Sequence, residues 1–559
     1  MKKIVSLVLT AVVTTSLLAG CTTKKTAEAP AAKDDKSPVT LKMFIADTVM
    51  QKRWEAAKME APISKKIKDA TGVNLDIEFP VGDIKQRMAL MISSGEYPEL
   101  VYAGPETGQI IDAKGLIPLD ELIEKYGPNI KKLYGEYLPR LKYSKDDPHI
   151  YYLGRDGVRD QQTAPTNGFQ IQHQVVKEAG YPKIKTLQDV ENVVKAYKEK
   201  HPTMNGKPTI GFSLVGGDEL FSIFTLFNSA AAATGSPSDG DWFIDQNTYK
   251  AQYNFTRPEV KEYFKWLNHL NDIGLLDPEA FTQKNDQFQA KVASGQILAM
   301  ADDTWHYAAS SRGARSTYGN QFGYGLYPVT VNENIKQANF MSPGYPAIAG
   351  VGISTKAKDP VRAIKFLDYL ASDEAQVLVN WGIEGENYKV ENGKRVIDDA
   401  TWTKRFNDQE WSNKLGLGSW GYPFPARGKG EKDATGQLFS PVTPEIAARN
   451  YTAEEKEILG KYGVQMWKDL YPAASEFKER PYGAASEFNI PADSDLARTQ
   501  TKIRQLALKN IAGMILAKPA EFDAKWDTHV SSLKANGLDK MVEDFNKFLS
   551  EKIKFNTGK

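Results

Sequence analysis

One cysteine, Cys21, stands in a chain of 559 residues, and it follows directly on an apolar amino-terminal stretch. Because a disulfide needs two cysteines, no disulfide can form within this chain. Small exported domains often rely on disulfides for their stability. If this chain is exported, its stability must come from the apolar area that its core buries.

Residues 1–20 have the arrangement of a secretory signal peptide. Two lysines precede an apolar segment from Ile4 to Leu18, and two small residues follow it. Serines and threonines interrupt the segment, so it is too short and too polar for a typical transmembrane helix. Later in the sequence no run of about 18 unbroken apolar residues occurs. The sequence therefore predicts an exported chain that does not cross the membrane.

The composition is that of a large globular protein with little net charge. Hydrophobic residues make up 41% and charged residues 25%, and 71 Lys and Arg balance 70 Asp and Glu. Single cores stop growing beyond about 250–300 residues, so the length predicts at least two domains. A net charge of +1 creates no field that would hold a nucleic acid. No nucleic-acid partner is expected.

Strand and helix patterns alternate early in the chain. Residues 39–46 and 72–81 alternate apolar and polar side chains, and a helical pattern between them ends at Gly72. A helix is predicted over 84–95 and a buried strand over 97–104. Strand, helix and strand in this order are typical of a parallel α/β unit. The predicted fold class is α/β.

Helices dominate the later predictions. An apolar stripe over residues 257–274 predicts one helix, and Asp359 followed by Pro360 predicts the start of another. A further stripe runs from Phe522 to Leu533. We expect a helix-rich carboxyl-terminal extension.

No motif for catalysis or metal binding keeps the context that its chemistry needs. GLGSWG over 416–421 matches G-x-G-x-x-G but lacks the preceding strand and the following helix of a dinucleotide site. The six histidines are scattered, and DGDWFID over 239–245 lacks the glycine and glutamate of a calcium loop. We expect no catalytic residue, metal or cofactor. Calcium binding elsewhere and a glycosidase carboxylate pair are left open, because the latter is defined by separation in space.

Residues 18–21, LAGC, resemble the bacterial lipoprotein box, in which the signal is cut before a lipidated cysteine. The resemblance implies that Cys21 carries lipid and that residues 21–38 form a flexible tether. Two or more acyl chains hold a protein stably on a membrane surface. We expect the chain to be anchored at the extracellular face of the cell membrane. A plain signal peptide with a chance cysteine is the alternative.

Seven segments of the mature chain resemble the extracellular solute-binding proteins of bacterial carbohydrate ABC importers, in particular the large oligosaccharide-binding lipoproteins of Gram-positive bacteria. Together they extend over nearly the whole mature chain in the order of the family. They are SSGEYPELVYAG (93–104), GLIPLDELIEKYGPNI (115–130), KEAGYPKIKTLQDVENVVKAYKEKHP (177–202), ASGQILAMADDTW (293–305), AIAGVGISTKAKDPVRAIKFLDYLASDEA (347–375), NWGIEGENY (380–388) and FDAKWDTHVSSLKANGLDKMVEDFNKFL (522–549).

The resemblance implies a periplasmic-binding-protein-like fold, in which two hinge-linked α/β lobes enclose a ligand cleft. It places lobe one at 39–158 plus 345–380 and lobe two at 159–344 plus 381–559. It also implies a monomer that delivers an oligosaccharide to the transmembrane subunits of an ABC permease.

A sugar offers apolar ring faces and a rim of hydroxyl groups, so its site needs aromatic side chains and fixed polar groups. Trp305 follows a predicted strand at the place where the family carries a sugar-stacking tryptophan. The alternative is packing for Trp305 and Trp381, an interlobe ion pair for Arg155 and a solvated loop acid for Asp303, and packing is favoured for Trp242 and Trp420. The stacking candidates are Trp305, Tyr345, Trp381 and Tyr388, and the hydroxyl-binding candidates are Asp47, Arg155, Asp303 and Glu384.

The sequence thus favours a lipid-anchored receptor for an oligosaccharide over an enzyme. A surface glycoside hydrolase or polysaccharide lyase is one alternative. A sensor or adhesin lipoprotein and a peptide-binding receptor are others. Arg155 and Arg159 would suit an acidic sugar such as a uronate.

Overall fold

The computed structural model describes residues 36–160, 162, 164–237, 239–347, 349–442, 448–488, 490–491 and 494–558. The predicted signal peptide, the predicted lipidation site at Cys21 and the tether up to residue 35 lie outside the described residues.

Strands are short and mostly buried. They are β1 (Val39–Ile45), β2 (Val73–Glu78), β3 (Leu100–Tyr102), β4 (Tyr152–Gly154), β5 (Gly157–Val158), β6 (Asn167–Gln172), β7 (Thr203–Met204), β8 (Lys207–Pro208), β9 (Ile210–Ser213), β10 (Trp242–Ile244), β11 (Ala251–Tyr253), β12 (Ile297–Asp303), β13 (Tyr324–Tyr327), β14 (Gly350–Ile353), β15 (Lys389–Glu391), β16 (Lys394–Val396) and β17 (Ala426–Arg427).

Helices alternate with these strands and dominate the carboxyl-terminal part. They are α1 (Thr48–Ala57), α2 (Pro62–Thr71), α3 (Ile84–Ser94), α4 (Thr107–Asp112), α5 (Asp120–Tyr126), α6 (Pro128–Tyr134), α7 (His173–Glu178), α8 (Leu187–Lys200), α9 (Glu219–Ser222), α10 (Asn228–Ala233), α11 (Pro258–Asp272), α12 (Asn285–Ala293), α13 (Thr304–Tyr318), α14 (Pro360–Ala371), α15 (Asp373–Trp381), α16 (Asp399–Asn407), α17 (Gln409–Leu415), α18 (Ala453–Lys461), α19 (Asp495–Ile515), α20 (Phe522–Ala535) and α21 (Leu538–Thr557).

The first sheet has the strand order β2-β1-β3-β14-β4. β1 runs parallel to β2 and β3, whereas β14 runs antiparallel to β3 and β4. Met43, Phe44 and Ile45 of β1 are fully buried, as expected for a central strand covered on both faces.

The second sheet has the order β13-β6-β12-β9. Its central strand β12 is buried along its whole length, runs antiparallel to β6 and lies parallel to β9. Both sheets are flanked by helices, so the predicted α/β class is confirmed.

Two large apolar cores form, one around each sheet, which gives the molecule two lobes. The first core contains β1, β3 and β14 with the helices around them. The second contains β6 and β12 together with the long helices α11, α19, α20 and α21. In a chain with one cysteine, which can form no disulfide within itself, this buried area is the main source of stability.

The lobe boundary predicted at residue 381 is corrected by the packing of the segment that follows. Leu417, Trp420 and Phe424 belong to the first core, although the prediction placed all of 381–559 in lobe two. The Trp420 ring contacts the Trp54 ring edge-on at 4.9 Å, and its indole N–H donates to Ser64 Oγ at 2.9 Å. Only the later helices of that range join the second core.

Three chain segments connect the lobes. Two of them, which include β5 and β17, pair in parallel with Ala426 opposite Gly157. A Cβ atom built on Gly157 would lie 2.7 Å from Gly428 Cα, and one on Gly428 would lie 2.4 Å from the backbone nitrogen of Asp160. Only glycine allows the two segments to approach this closely. The third segment runs from β13 to β14.

We expect Gly428→Ala to lower the free energy of unfolding by about 1–3 kcal/mol, because the added methyl group collides with backbone that cannot move aside. Gly513→Ala is the matched control. Gly513 lies exposed in α19 with no atom near its Cβ position, so alanine there should raise stability by about 0.5–1 kcal/mol. Urea unfolding measures the free energy of unfolding of both variants. An equal change in the two variants would contradict the proposed close approach.

Candidate functional site

Three polar residues of lobe one lie where strands of its sheet end. Asp47 follows β1, Tyr102 is the last residue of β3, and Arg155 follows β4. The register places Ile45 beside Tyr102 and Gly350 beside Gly154, so all three strands end at the same edge. This edge is the one from which the chain leaves for lobe two. Ligands of open α/β sheets bind at such edges.

A pair of tyrosines holds the guanidinium of Arg155 at this edge. Arg155 Nη1 donates to the Tyr422 hydroxyl at 2.5 Å, and the two hydroxyls of Tyr102 and Tyr422 are 2.6 Å apart. The guanidinium carbon lies 4.9 Å from the Tyr422 ring centre and 5.9 Å from that of Tyr102. These aromatic contacts hold the side chain of Arg155 at this edge.

Asp47 is the member of this cluster that lies next to α1. Its Oδ1 accepts the backbone N–H of Met50 at 3.1 Å, so the carboxylate lies at the amino-terminal end of α1. Burial raises the pKa of both Tyr102 and Tyr422, the charge of Asp47 raises it further, and the charge of Arg155 opposes the rise. Both phenols therefore stay protonated and can donate a hydrogen bond.

Lobe two presents an exposed tryptophan at its corresponding edge. Asp303 ends β12 and Trp305 lies in the first turn of α13, close to the crossing segment, because Thr304 N donates to Thr166 O at 2.8 Å. The Trp305 side chain is 55% exposed and meets the Phe224 ring edge-on at 5.0 Å. Phe224 belongs to a π-helical turn, Ile223–Phe227, a feature that is frequent at functional sites.

A buried polar triad supports this aromatic surface. The ring nitrogens of His306 each lie 2.7 Å from an oxygen, Nδ1 from Asp302 Oδ2 and Nε2 from Asn285 Oδ1. The rings of Phe221 and Phe288 stack on the imidazole at 4.8 and 5.7 Å. Because His306 directly follows Trp305, these contacts fix the turn that carries the tryptophan.

Asp303 is a buried carboxyl group, and hydrogen bonds offset the cost of its burial only weakly. Asn228 Nδ2 lies 3.5 Å from its Oδ2, which is a long hydrogen bond. Burial raises the pKa of Asp303 to about 7, and the charge of Asp302 contributes to the rise. Near neutral pH this group can therefore either donate or accept a hydrogen bond.

The structure brings four predicted residues to the two edges, Asp47, Arg155, Asp303 and Trp305, and places the other four elsewhere. Tyr345 is 0% exposed in the first core, with the rings of Tyr134 and Tyr137 at 5.7 and 6.0 Å. The stacking prediction is corrected for this residue, because an enclosed ring offers no face to a sugar.

The segment after α15 forms a separate small core. Trp381 and Tyr388 are 6% and 8% exposed, their rings contact each other at 5.7 Å, and Ile397 and Trp402 pack around them. The Trp381 indole N–H donates to Leu438 O at 3.0 Å. The ligand role predicted for Trp381 is corrected accordingly, because its ring is enclosed. Glu384 is exposed on the adjoining turn, and Glu384 and Tyr388 both line a cavity of about 540 Å³ beside α2, α14 and α15, away from the two strand edges. The ligand roles of Glu384 and Tyr388 stay predictions.

Packing is confirmed for two further tryptophans. Trp242 is enclosed in the second core and stacks on Phe545 at 3.7 Å, and Trp420 is enclosed in the first.

Sequence reasoning missed Tyr102, Tyr422 and Phe224. Tyr102 ends a predicted strand, so the rule that ligands bind at strand ends was a signal for it. Tyr422 lies in a turn-rich loop, and its partner Tyr102 is 320 residues earlier in the chain. Nothing in the sequence around Phe224 indicates that it lies at the site. Over the described ranges no group of three or more His, Cys, Asp or Glu residues is placed to hold a metal ion.

The two sheets, each with its own core, define a protein with two α/β lobes. A family model, that of the bacterial extracellular solute-binding protein, matches residues 54–377. The chain belongs to this family. Among the helices of the described residues, none combines the length and apolar character that a bilayer crossing requires.

Two curated relatives carry names that describe transport or anchoring. The chain is 28% identical over 293 residues to the fructooligosaccharide ABC transporter substrate-binding protein FusA of Streptococcus pneumoniae, which covers 49% of this chain and 53% of the relative. The aligned part thus spans about half the length of FusA. The chain is 23% identical over 391 residues to lipoprotein LipO of Bacillus subtilis, which covers 67% and 72%.

A solved structure shows the same fold over most of the chain. The S. pneumoniae protein FusA in complex with kestose superposes with a TM-score of 0.64 at 18% identity, covering 92% of this chain and 99% of that one. The predicted two-lobed fold is confirmed.

The raised pKa of Asp303 predicts a pH-dependent stability. Unfolded, this carboxyl group ionises near pH 3.8, whereas in the folded protein it keeps its proton up to about pH 7. The stabilisation that this proton uptake provides is fully present at low pH and is lost as the pH rises through this window. Asp303→Asn should therefore gain stability relative to the wild type between pH 4 and 8, by up to about 4 kcal/mol.

Urea unfolding at several pH values measures this difference. Asp146→Asn is the control for the substitution itself, because Asp146 is exposed and its replacement should change the stability little. If the difference in free energy of unfolding between Asp303→Asn and the wild type did not change with pH, the raised pKa of Asp303 would be contradicted.

Proposed function

We propose that this protein is the substrate-binding component of a carbohydrate ABC importer, and that it captures an oligosaccharide between its lobes. The observation that carries the proposal is the exposed indole of Trp305 on lobe two, at the edge that corresponds to the Arg155, Tyr102 and Tyr422 cluster on lobe one. The names of the relatives support a carbohydrate ligand and an ABC transporter.

Each edge supplies a different part of sugar recognition. The indole of Trp305 offers a flat face for the C–H face of a pyranose or furanose ring. Arg155 and the protonated phenol of Tyr422 donate hydrogen bonds to sugar oxygens, and Asp47 accepts them. Asp303 acts as donor or acceptor according to its protonation. We keep these four predicted residues as the ligand contacts and add Tyr422 and Phe224. Tyr102, which is 2% exposed, positions the Tyr422 hydroxyl.

Closure of the lobes completes the site. A ligand that touches both edges binds the closed arrangement more tightly than the open one, and it shifts the population toward closure by that difference in affinity. The closed form is the one that the transmembrane subunits of the permease accept. In this proposal the protein acts as a monomer and carries out no chemical step on its ligand.

The location follows from the amino-terminal sequence. We propose that the signal peptide over residues 1–20 is removed and that lipid on Cys21 holds the mature protein at the extracellular face of the cell membrane. A relative named as a lipoprotein supports the anchor.

The deciding experiment is a thermal-shift screen of residues 22–559 against neutral and acidic oligosaccharides, among them fructooligosaccharides and uronate-containing fragments. A ligand at 100 times its Kd should stabilise the fold by about 2.7 kcal/mol. Recovery of an intact ligand after incubation supports a receptor, and cleavage products would identify a hydrolase or lyase instead. A screen that finds only peptide ligands would overturn the carbohydrate assignment.

Trp305→Ala should weaken the affinity for the sugar found in the screen by about 2 kcal/mol, or roughly 30-fold, because a stacking surface is lost from the centre of the site. Trp305→Phe should retain most of the affinity. Trp381→Phe is the matched control, since Trp381 lies in the separate small core and its replacement should leave the affinity unchanged. Calorimetry measures all three, and unchanged binding by Trp305→Ala would remove the residue from the site.

Cys21→Ser in the full-length protein should prevent lipid attachment, because serine has no thiol to acylate. We expect the variant to leave the membrane fraction for the medium and to lose incorporation of a labelled fatty acid. Ser16→Ala, a change within the apolar segment, is the control and should remain in the membrane fraction. A Cys21→Ser variant that stays in the membrane with its label would rule out this anchor.

A further inference from the structure

Lobe two contains a second cavity along α13, separate from the indole of Trp305. It has a volume of about 250 Å³. Small-molecule sites in proteins usually measure about 300–1,000 Å³, so an occupant of this cavity must be small. The residues that line it are Ala164, Pro165, His173, Thr304, Tyr307, Ala308, Ser311, Arg312, Arg315, Gly323, Tyr324, Leu326 and Glu455.

Two arginines on one face of α13 line this cavity. Arg312 and Arg315 are three residues apart in α13, a spacing that places them side by side. Within the part of the chain that the structure describes, neither forms an ion pair or a side-chain hydrogen bond, and the buried Nε of Arg315 has no partner. A buried guanidinium N–H without a partner is costly, so this arrangement calls for an acceptor.

Gly323 and His173 hold Arg315 in its position. A Cβ atom on Gly323 would lie 2.9 Å from Cδ of Arg315 and 3.0 Å from the imidazole of His173, so the arginine stem lies against bare backbone. His173 stacks in parallel on Trp467 at 6.1 Å between ring centres. Burial and the charge of Arg315 lower the pKa of His173 to about 3, which keeps the imidazole neutral.

Glu455 is the single carboxylate among the residues that line the cavity, and it already accepts hydrogen bonds from the protein. Glu455 Oε1 accepts the Trp467 indole N–H at 3.1 Å, and Oε2 accepts the backbone N–H of Thr452 at 2.9 Å. It forms no ion pair with either arginine among the described residues. The cavity therefore retains a net positive charge, with the hydroxyl of the buried Ser311 as a further donor.

We propose that this cavity binds a small oxyanion, a carboxylate or a phosphate group on a molecule no larger than about a monosaccharide. The forked guanidinium of Arg315 would bind two anion oxygens, and Arg312 at the more exposed mouth would add its charge. The indole of Trp305 does not line this cavity, and Arg312 lies about two helical turns beyond it, so anion binding here can be tested apart from the oligosaccharide at the strand edges.

Calorimetric titration of residues 22–559 with inorganic phosphate, and separately with D-galacturonate, tests the proposal. At least one of these anions should bind, and the double variant Arg312→Met/Arg315→Met should weaken that binding at least tenfold. Arg498→Met is the matched control, since Arg498 is exposed on α19 and remote in sequence from the cavity, and it should bind as the wild type does. Phosphate binding without galacturonate binding assigns a phosphate site, and the reverse assigns a carboxylate site.

Two further variants separate this cavity from the sugar site. Trp305→Ala should leave anion binding unchanged, and the double arginine variant should leave the affinity for a neutral oligosaccharide unchanged. If the double variant fails to fold, Arg312→Met alone, at an exposed position, should still weaken anion binding severalfold. Binding of neither anion, equal binding by wild type and arginine variants, or loss of anion binding in Trp305→Ala would overturn the proposal.

Discussion

The close approach of two chain segments at Gly157 and Gly428 is the constraint on which the binding edges depend. With no room for a Cβ atom at either glycine, β5 and β17 pair directly. Arg427 secures the pairing through ion pairs with Asp373 at 3.2 Å and Glu431 at 2.9 Å. Arg155 lies two residues before β5 and Tyr422 lies four residues before β17, so the parallel pairing of these strands brings Tyr422 to Arg155 where both segments leave lobe one. The lobe-one half of the site is therefore assembled by the connection between the lobes.

The sequence predicted most of the fold because the signals for its elements are local. The strand expected over 39–46 is Val39–Ile45, and the helix expected over 257–274 is Pro258–Asp272. The predicted cap Asp359 accepts the backbone N–H of Arg362 at 2.9 Å. Periodicity and capping residues report on such elements directly. The segment around Trp420 was misassigned, because nothing local indicates which of two distant cores an apolar loop will join.

The site was predictable only in the parts that lie beside a strand end. Asp47 and Trp305 follow strands that the sequence predicts, and Asp303 is predicted as a neighbour of Trp305. Arg155 follows β4, which the sequence did not predict, and is predicted because the family resemblance places a lobe crossing there. Tyr345 and Trp381 share the residue types of a sugar site, yet burial decides their role, and burial depends on contacts far away in sequence. The Tyr102 and Tyr422 hydroxyl contact is of the same long-range kind.

Three connections between the lobes also have a mechanical consequence. Two bodies joined at a single point can rotate about any axis, whereas bodies joined by three segments, two of which are paired strands, resist torsion and sliding. Motion is then confined mainly to bending about the line of the connections. Under the proposed function, the angle between the lobes becomes a single variable that reports occupancy. A membrane partner that recognises both lobes at once could then distinguish the loaded protein from the empty one without contacting the ligand.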